Sequence, residues 1–138
     1  MSISQISVFV ESQPGHMKSV LDTMAQAQVN VRGYCAADTG DYGIVRFVVD
    51  KPELGLKVLQ EAGYAAKLTN ILCVEVSDTP GELSRVLGVI SDAGINITYS
   101  YSLVSTYIAL QTGNDLQHAE ELLAQTDLKL VNDNDLQL

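Results

Sequence analysis

The chain repeats itself at a spacing of 66 residues, and that repeat limits the folds open to it more than any other feature. Glu11 to Ala36 lies over Ser77 to Ser102 without a gap. Pro14-Gly15 falls on Pro80-Gly81, Val20-Leu21 on Val86-Leu87, Ala27 on Ala93 and Asn30 on Asn96. Similar residues fill the intervals: Met17 on Leu83, Met24 on Ile90, Val29 on Ile95 and Val31 on Ile97. The matches gather on a turn, one helical face and one strand entry, where chance would scatter them. With 138 residues in all, each copy is a very small module. A module of roughly 65–70 residues buries only about 60% of its unfolded surface. Such modules are expected to lean on each other and on a second chain.

The apolar pattern predicts the elements independently of the repeat. Met17, Val20, Leu21 and Met24 follow the i, i+3, i+4, i+7 spacing of one helix face, and Leu83, Val86, Leu87 and Ile90 do the same. Proline at the first helical position starts each helix. In the second copy Thr79 reads as the N-cap and Glu82, three residues on, completes a capping box; Gly94 ends that helix in a left-handed conformation. The first copy has Gln13, His16 and Gln28 at these three places, a weaker punctuation of the same pattern.

Short β-rich runs at 6–10 and 71–76 lead into the Pro-Gly turns. Strands follow at 29–36 and 95–104. Third strands at 43–49 and 107–111 come after turns at 38–41 and around Ser105. Second helices are expected over 51–62, ending at Gly63, and over 115–124, with closing strands at 64–68 and 128–131. Each half reads β-α-β-β-α-β, the ferredoxin-like order of an α+β protein whose helices cover one sheet face. The domains are therefore placed at 1–68 and 71–138, with Thr69-Asn70 as the linker. The tail from Asn132, including Asp133 and Asp135, is expected to be polar and frayed.

Charge and composition exclude several classes of function. Seventeen acidic residues against eight basic ones give a net charge of −9. Neutralising phosphates takes a basic stripe, so nucleic acid and anionic membrane surfaces are not expected partners. No apolar run reaches the roughly 20 residues of a membrane span, and the opening residues lack the regions of a signal peptide; cytoplasm is the expected compartment. Cys35 and Cys73 have no metal-binding or redox spacing and read as small core hydrophobes. His16 and His118 fall in different elements of different halves. No metal, no cofactor and no catalytic constellation is expected, and the chain reads as a non-enzyme.

The run Asp78-Thr79-Pro80-Gly81-Glu82-Leu83, then Val86-Leu87, then Ala93-Gly94-Ile95-Asn96-Ile97, resembles the signature of the ACT domain family. Ser12-Gln13-Pro14-Gly15 and Val29-Asn30-Val31 make the first copy of it, so the resemblance spans nearly the whole chain, twice. It implies a tandem ACT protein that binds an amino acid or a similar small effector and regulates an enzyme. It also implies sites between two ACT units, the first loop of one facing the second-strand entry of another. By that resemblance the Asp78–Leu83 loop faces Asn30 and Val31, and the Ser12–Met17 loop faces Asn96 and Ile97. The ligand-binding set is then Ser12, Gln13, Gly15, His16, Met17, Asn30, Val31, Asp78, Thr79, Gly81, Glu82, Leu83, Asn96 and Ile97.

These residue types suit a zwitterion. A helix start offers unpaired N–H groups and the positive dipole end to a carboxylate. Glycine there lets a ligand approach the backbone. Asp78, Asn30 and Asn96 offer oxygens to an ammonium. Each also has a purely structural reading: Pro-Gly opens helices without any ligand, and the asparagines suit turns. Tyr99 and Tyr101 share one face of a strand, to cover the sheet, to meet another subunit or to close over an effector. Because Ser12 stands for Asp78 and His16 for Glu82, the two sites are expected to differ. The expected partners are a free amino acid, a second copy in a homodimer, and an enzyme of amino-acid metabolism reached in trans. The alternative is a protein-interaction module of the same fold without an effector.

Overall fold

The computed structural model of the chain describes residues 2–38, 40 and 42–136. Two compact units emerge, built mainly on Ser4–Thr69 and on Asn70–Asp135. The first contains β1 (Ile3–Glu11), α1 (His16–Gln26), β2 (Val31–Asp38), β3 (Tyr42–Val49) and α2 (Pro52–Glu61). The second contains α3 (Glu82–Ser91), β5 (Tyr99–Ser102), β6 (Tyr107–Gln111), α4 (Leu116–Ala124) and β7 (Lys129–Leu130). Between them β4 (Ala65–Glu75) runs unbroken through Thr69 and Asn70. The two strands expected on either side of that dipeptide are thus one element, which ends the first β-α-β-β-α-β and begins the second. Of the turn expected at 38–41, Thr39 and Asp41 lie outside the described residues.

The sheets have the strand order of a ferredoxin-like fold. In the first unit β3 lies between β1 and β2, antiparallel to both, with Val8 opposite Val45 and Val45 opposite Ala36. In the second unit β6 lies between β4 and β5, and β7 pairs with β4 at Val74 and Glu75. A bulge at Arg32 interrupts the β2–β3 register between Val31 and Gly33. Strands β2 and β5 stand at sheet edges.

Each unit has its own apolar core under its two helices. In the first, Ile6, Val8, Phe47 and Val49 of the sheet meet Val20, Met24 and Leu59 of the helices. In the second, Leu72, Val74 and Leu110 meet Val86, Ile90, Ala119 and Leu123. Two members of each helical stripe are buried; the first members, Met17 and Leu83, are exposed at the helix starts. Fully burying a Val, Leu, Ile or Met side chain stabilises a fold by about 1.5–3 kcal/mol, so these interior stripes hold the helices to the sheets.

Several expectations are corrected. The second strand of the second copy is only Tyr99–Ser102, so Asn96 and Ile97 lie ahead of it. A short 3-10 turn, Gly113–Asp115, precedes α4. The tail from Asn132 is not frayed: Asp133–Leu136 forms a 3-10 turn and Leu136 is fully buried. Asn132 and Asp135 close that turn reciprocally, each backbone N–H donating to the other's side-chain oxygen, at 3.0 and 3.2 Å. Asp135 is half-buried and structural, where a solvated residue was expected. Among the described residues no helix is long and apolar enough to cross a membrane.

Candidate functional site

Both Pro-Gly pairs form the same turn. His16 N–H donates to the Gln13 carbonyl at 3.3 Å, and Glu82 N–H to that of Thr79 at 3.4 Å. Gly15 and Gly81 sit third in their turns with φ of 88° and 87°. Proline second and a left-handed glycine third define a type II turn. The helices begin only after these glycines, which occupy the N-cap positions without side-chain caps. Pro14 and Pro80 therefore precede the helices and do not occupy their first position. The capping box at Thr79 and Glu82 does not form either: Thr79 pairs with the Ser77 hydroxyl at 2.9 Å. A Cβ on Gly15 or Gly81 would meet nothing within 4 Å, so backbone conformation is what requires glycine there.

The turns aim each chain into a helix whose first N–H groups have no partner inside the helix. The first intrahelical bonds are Ser19 N–H to Gly15 and Arg85 N–H to Gly81. In the first unit, this helix start lies beside a cleft of about 380 Å³. Its floor is Val10, Met17, Ala36, Gly43 and Val45; Glu11, Ser12, Gln13 and Pro14 bound it along the loop. The loop is pinned from within. Gln13 N–H donates to the Glu11 carbonyl at 2.9 Å, and the Gln13 amide donates to the Glu11 carboxylate at 3.2 Å. His16 Nδ1 lies 3.0 Å from the same carbonyl; a carbonyl only accepts, so Nδ1 carries the proton.

In the second unit the loop borders a cavity built on different elements: the end of β4, the start of α3 and the β7 side. This cavity, about 630 Å³, is walled by Glu75, Asp78, Glu82, Arg85, Asp127 and Lys129. Arg85 binds both Glu82 oxygens, at 3.1 and 3.0 Å, and reaches Asp127 at 2.8 Å. These charge-assisted bonds hold the Glu82 and Asp127 carboxyls below the usual carboxylate range. Glu82 is thus committed to the guanidinium. In the first unit the corresponding tie, from Ser19 to Tyr64, is neutral, a 2.7 Å hydroxyl pair.

The remaining candidates lie elsewhere. Asn30 follows the C-terminal end of α1, where its backbone is fixed by Asp50: Asn30 N–H donates to Asp50 Oδ1 at 2.8 Å and Asp50 N–H to the Asn30 carbonyl at 3.0 Å. Lys51 donates to the neighbouring Gln28 carbonyl at 2.8 Å. An 11-residue helix is roughly 16 Å long, so within one unit the Ser12–Gly15 loop and Asn30 stand too far apart for one small ligand. The same separation holds in the second unit between the Asp78–Gly81 loop and Asn96. Both asparagine side chains are exposed, whereas Val31 and Ile97 are half-buried against their cores. Tyr99 and Tyr101 stack at 6.3 Å on the sheet face away from the helices. Among the described residues no group of three His, Cys, Asp or Glu could hold a metal. The cleft floor, above all Gly43, was not legible as a site, because no motif marks a glycine inside a strand as a ligand contact.

The family model described as "ACT domain pair" matches residues 1–138. Among solved structures, protein BT0572 from Bacteroides thetaiotaomicron is similar at 28% identity and a TM-score of 0.91, over 99% of this chain and 96% of that one. The ligand-free regulatory subunit of aspartate kinase from Thermus thermophilus superimposes with a TM-score of 0.63 at 20% identity, over 88% of this chain and 91% of that one. The Thermus flavus regulatory subunit gives 0.60 at 18%, over 88% and 90%. No curated protein matches the chain.

Proposed function

The chain belongs to the ACT domain pair family, and on that premise we propose that it is a sensor of a free amino acid, without catalytic activity, that regulates an enzyme of amino-acid metabolism in trans. The observation that carries this reading is the first-unit loop. A type II turn there directs a helix start, rich in N–H donors, to the edge of a cleft with an apolar floor. That combination offers a carboxylate its donors and a side chain its seat. Ser12, Gln13, Gly15, His16 and Met17 form the loop side of this site, and Asp78, Thr79, Gly81, Glu82 and Leu83 the corresponding side in the other copy. Because Asn30 and Asn96 each lie a helix length from the loop of their own unit, an asparagine from a different ACT unit completes each site, with Val31 or Ile97 beside it. A homodimer is the assembly that supplies such units. The aspartate kinase subunits of similar fold are named as regulatory, which supports the role and leaves the target enzyme to experiment.

A thermal-shift panel of the proteinogenic amino acids tests the reading on the whole chain. A ligand at about 100 times its Kd adds about 2.7 kcal/mol of stability. One or a few amino acids should raise Tm at millimolar concentration. A flat panel would leave a protein-interaction module in place of a sensor.

A further inference from the structure

We propose that the first-unit cleft receives the effector's side chain and selects one that is uncharged and apolar. The inference rests on the amino-acid-sensing reading above and adds to it the class of effector. The floor of the cleft is hydrocarbon and thioether: Val10, Met17, Ala36 and Val45. Among its lining residues Glu11, the last residue of β1, alone is charged, and its carboxylate accepts from the Gln13 amide at 3.2 Å. A negatively charged side chain seated on that floor would give up its water and meet no cation, and a positively charged one would meet only Glu11, whose carboxylate already accepts from the Gln13 amide. An aliphatic one would remove apolar surface from water on both sides. The volume, about 380 Å³, also suits a compact ligand.

The room in the cleft comes from two residues that the repeat changes. Val10 is opposite Gly43 on β3, and in the second unit Val76 N–H bonds to the Thr106 carbonyl, so Thr106 takes the place of Gly43. Val8 pairs with Val45 where Val74 pairs with Ile108. The second copy therefore carries Thr and Ile where the first has Gly and Val. A Cβ on Gly43 would stand 3.4 Å from the Ala37 carbonyl and 3.8 Å from Val10 Cγ2, which the strand can accept. Its φ is not left-handed, so a larger residue can extend into the cleft without backbone strain.

Calorimetric titration of the whole chain with L-alanine, L-valine, L-leucine, L-methionine, L-aspartate and L-lysine tests this. Affinity should rise from alanine to the larger aliphatic residues by about tenfold or more for each well-seated methylene, with aspartate and lysine at least a hundredfold weaker than leucine. Gly43→Val, built to fill the seat, should weaken leucine by tenfold or more. Ala36→Ile does the same from the exposed edge strand and keeps the test available should the first variant fold poorly. Binding of aspartate or lysine as tight as that of leucine, or leucine affinity unchanged in both folded variants, would overturn the apolar seat and leave amino-acid sensing standing. Silence from all six in the titration and from the whole thermal panel would remove both.

Discussion

Gln28 and Gly94 hold the same place in the two copies, 66 residues apart, and both turn left-handed, with φ of 62° and 74°. Each ends its helix the same way. Val29 N–H returns to the Met24 carbonyl at 3.0 Å and Ile95 N–H to that of Ile90 at 3.3 Å. The geometry of this stop is therefore set by the fold, and the first copy meets it with a residue that carries a Cβ.

Replacing Gln28 by Gly should consequently stabilise the protein. The left-handed conformation costs a non-glycine residue about 1–2 kcal/mol, and part of the relief is returned as extra freedom of the unfolded chain. A net gain of about 0.5–1 kcal/mol is expected. Gln28 is exposed, and the bond from Lys51 goes to its backbone carbonyl, so no side-chain contact is given up in exchange. Urea unfolding should show a higher midpoint with an unchanged slope. A lower midpoint would mean that the glutamine side chain holds something.

How much of this was legible in the sequence follows from which signals are local. The stripes ending in Val20-Met24 and Val86-Ile90 predict helices and their buried faces because period and burial are the same fact. Pro80-Gly81 announces a turn, but whether proline begins the helix or precedes it depends on the glycine's φ, which composition does not reveal. The Thr79–Glu82 box failed because the left-handed Gly81 is the N-cap, which makes Glu82 the first helical residue, not the third, and Arg85 then takes its carboxylate with two charged donors. Leu136 stands in a polar run with no helical or strand period long enough to betray its burial. The loop side of the candidate site came from a recognisable motif. The floor of the cleft came only from pairing Val10 with Gly43 and Val45 with Ala36 across three strands, a relation of register that no single segment carries.

The Arg85 cluster makes a prediction in pH. Glu82 and Asp127 have depressed carboxyl pKa values in the fold, so the unfolded chain binds protons first as pH falls. Their contribution is fully present above the ordinary values of 4.5 and 3.8 and is lost as pH drops through the lower folded values. Carboxyl titration by NMR should find both groups below those values in the wild type and near them in Arg85→Gln. Arg85 and Asp127 are solvent-exposed and Glu82 is half-buried, so the difference should shrink with added salt, most of all at Asp127.

Cys73 and Cys35 should part company toward alkylating reagents. Cys73 is fully buried on β4, and burial pushes its thiol up to about 12, with the Asp135 charge adding to the effect. At neutral pH the thiolate that reacts is therefore scarce. Cys35 is half-buried on the edge strand. Iodoacetamide followed by mass spectrometry should label Cys35 in the native protein and both residues after denaturation. Because the folded value lies above the ordinary 9.0, the neutral thiol supports the fold below that pH, and the support fades between 9.0 and about 12. Cys73→Ala or Cys73→Val should flatten that alkaline loss, whatever either does at neutral pH.

Gly55 lets α2 settle onto β1, and this contact yields the most decisive stability test. A Cβ there would lie 2.9 Å from Ile6 Cδ1, with Val29 and Val49 at 3.5 and 3.6 Å. Two effects then oppose each other in Gly55→Ala. Alanine favours a helix interior over glycine by about 1 kcal/mol, and overpacking a filled core costs about 1–3 kcal/mol. With Ile6 fully buried there is little room for its end to swing away, so the variant should be destabilised by about 1 kcal/mol. Ile6→Val removes the clashing atom. In that background Gly55→Ala should become neutral or stabilising, and a double-mutant cycle by urea unfolding should give a favourable coupling of about 1 kcal/mol. The second unit shows that such an arrangement folds: Ala119 and Leu123 are the buried residues of α4 as Gly55 and Leu59 are of α2, and Leu72, paired with Leu110, stands where Ile6 pairs with Phe47. Additive effects in the cycle would mean that α2 rides clear of Ile6 and that helix propensity alone decides the cost.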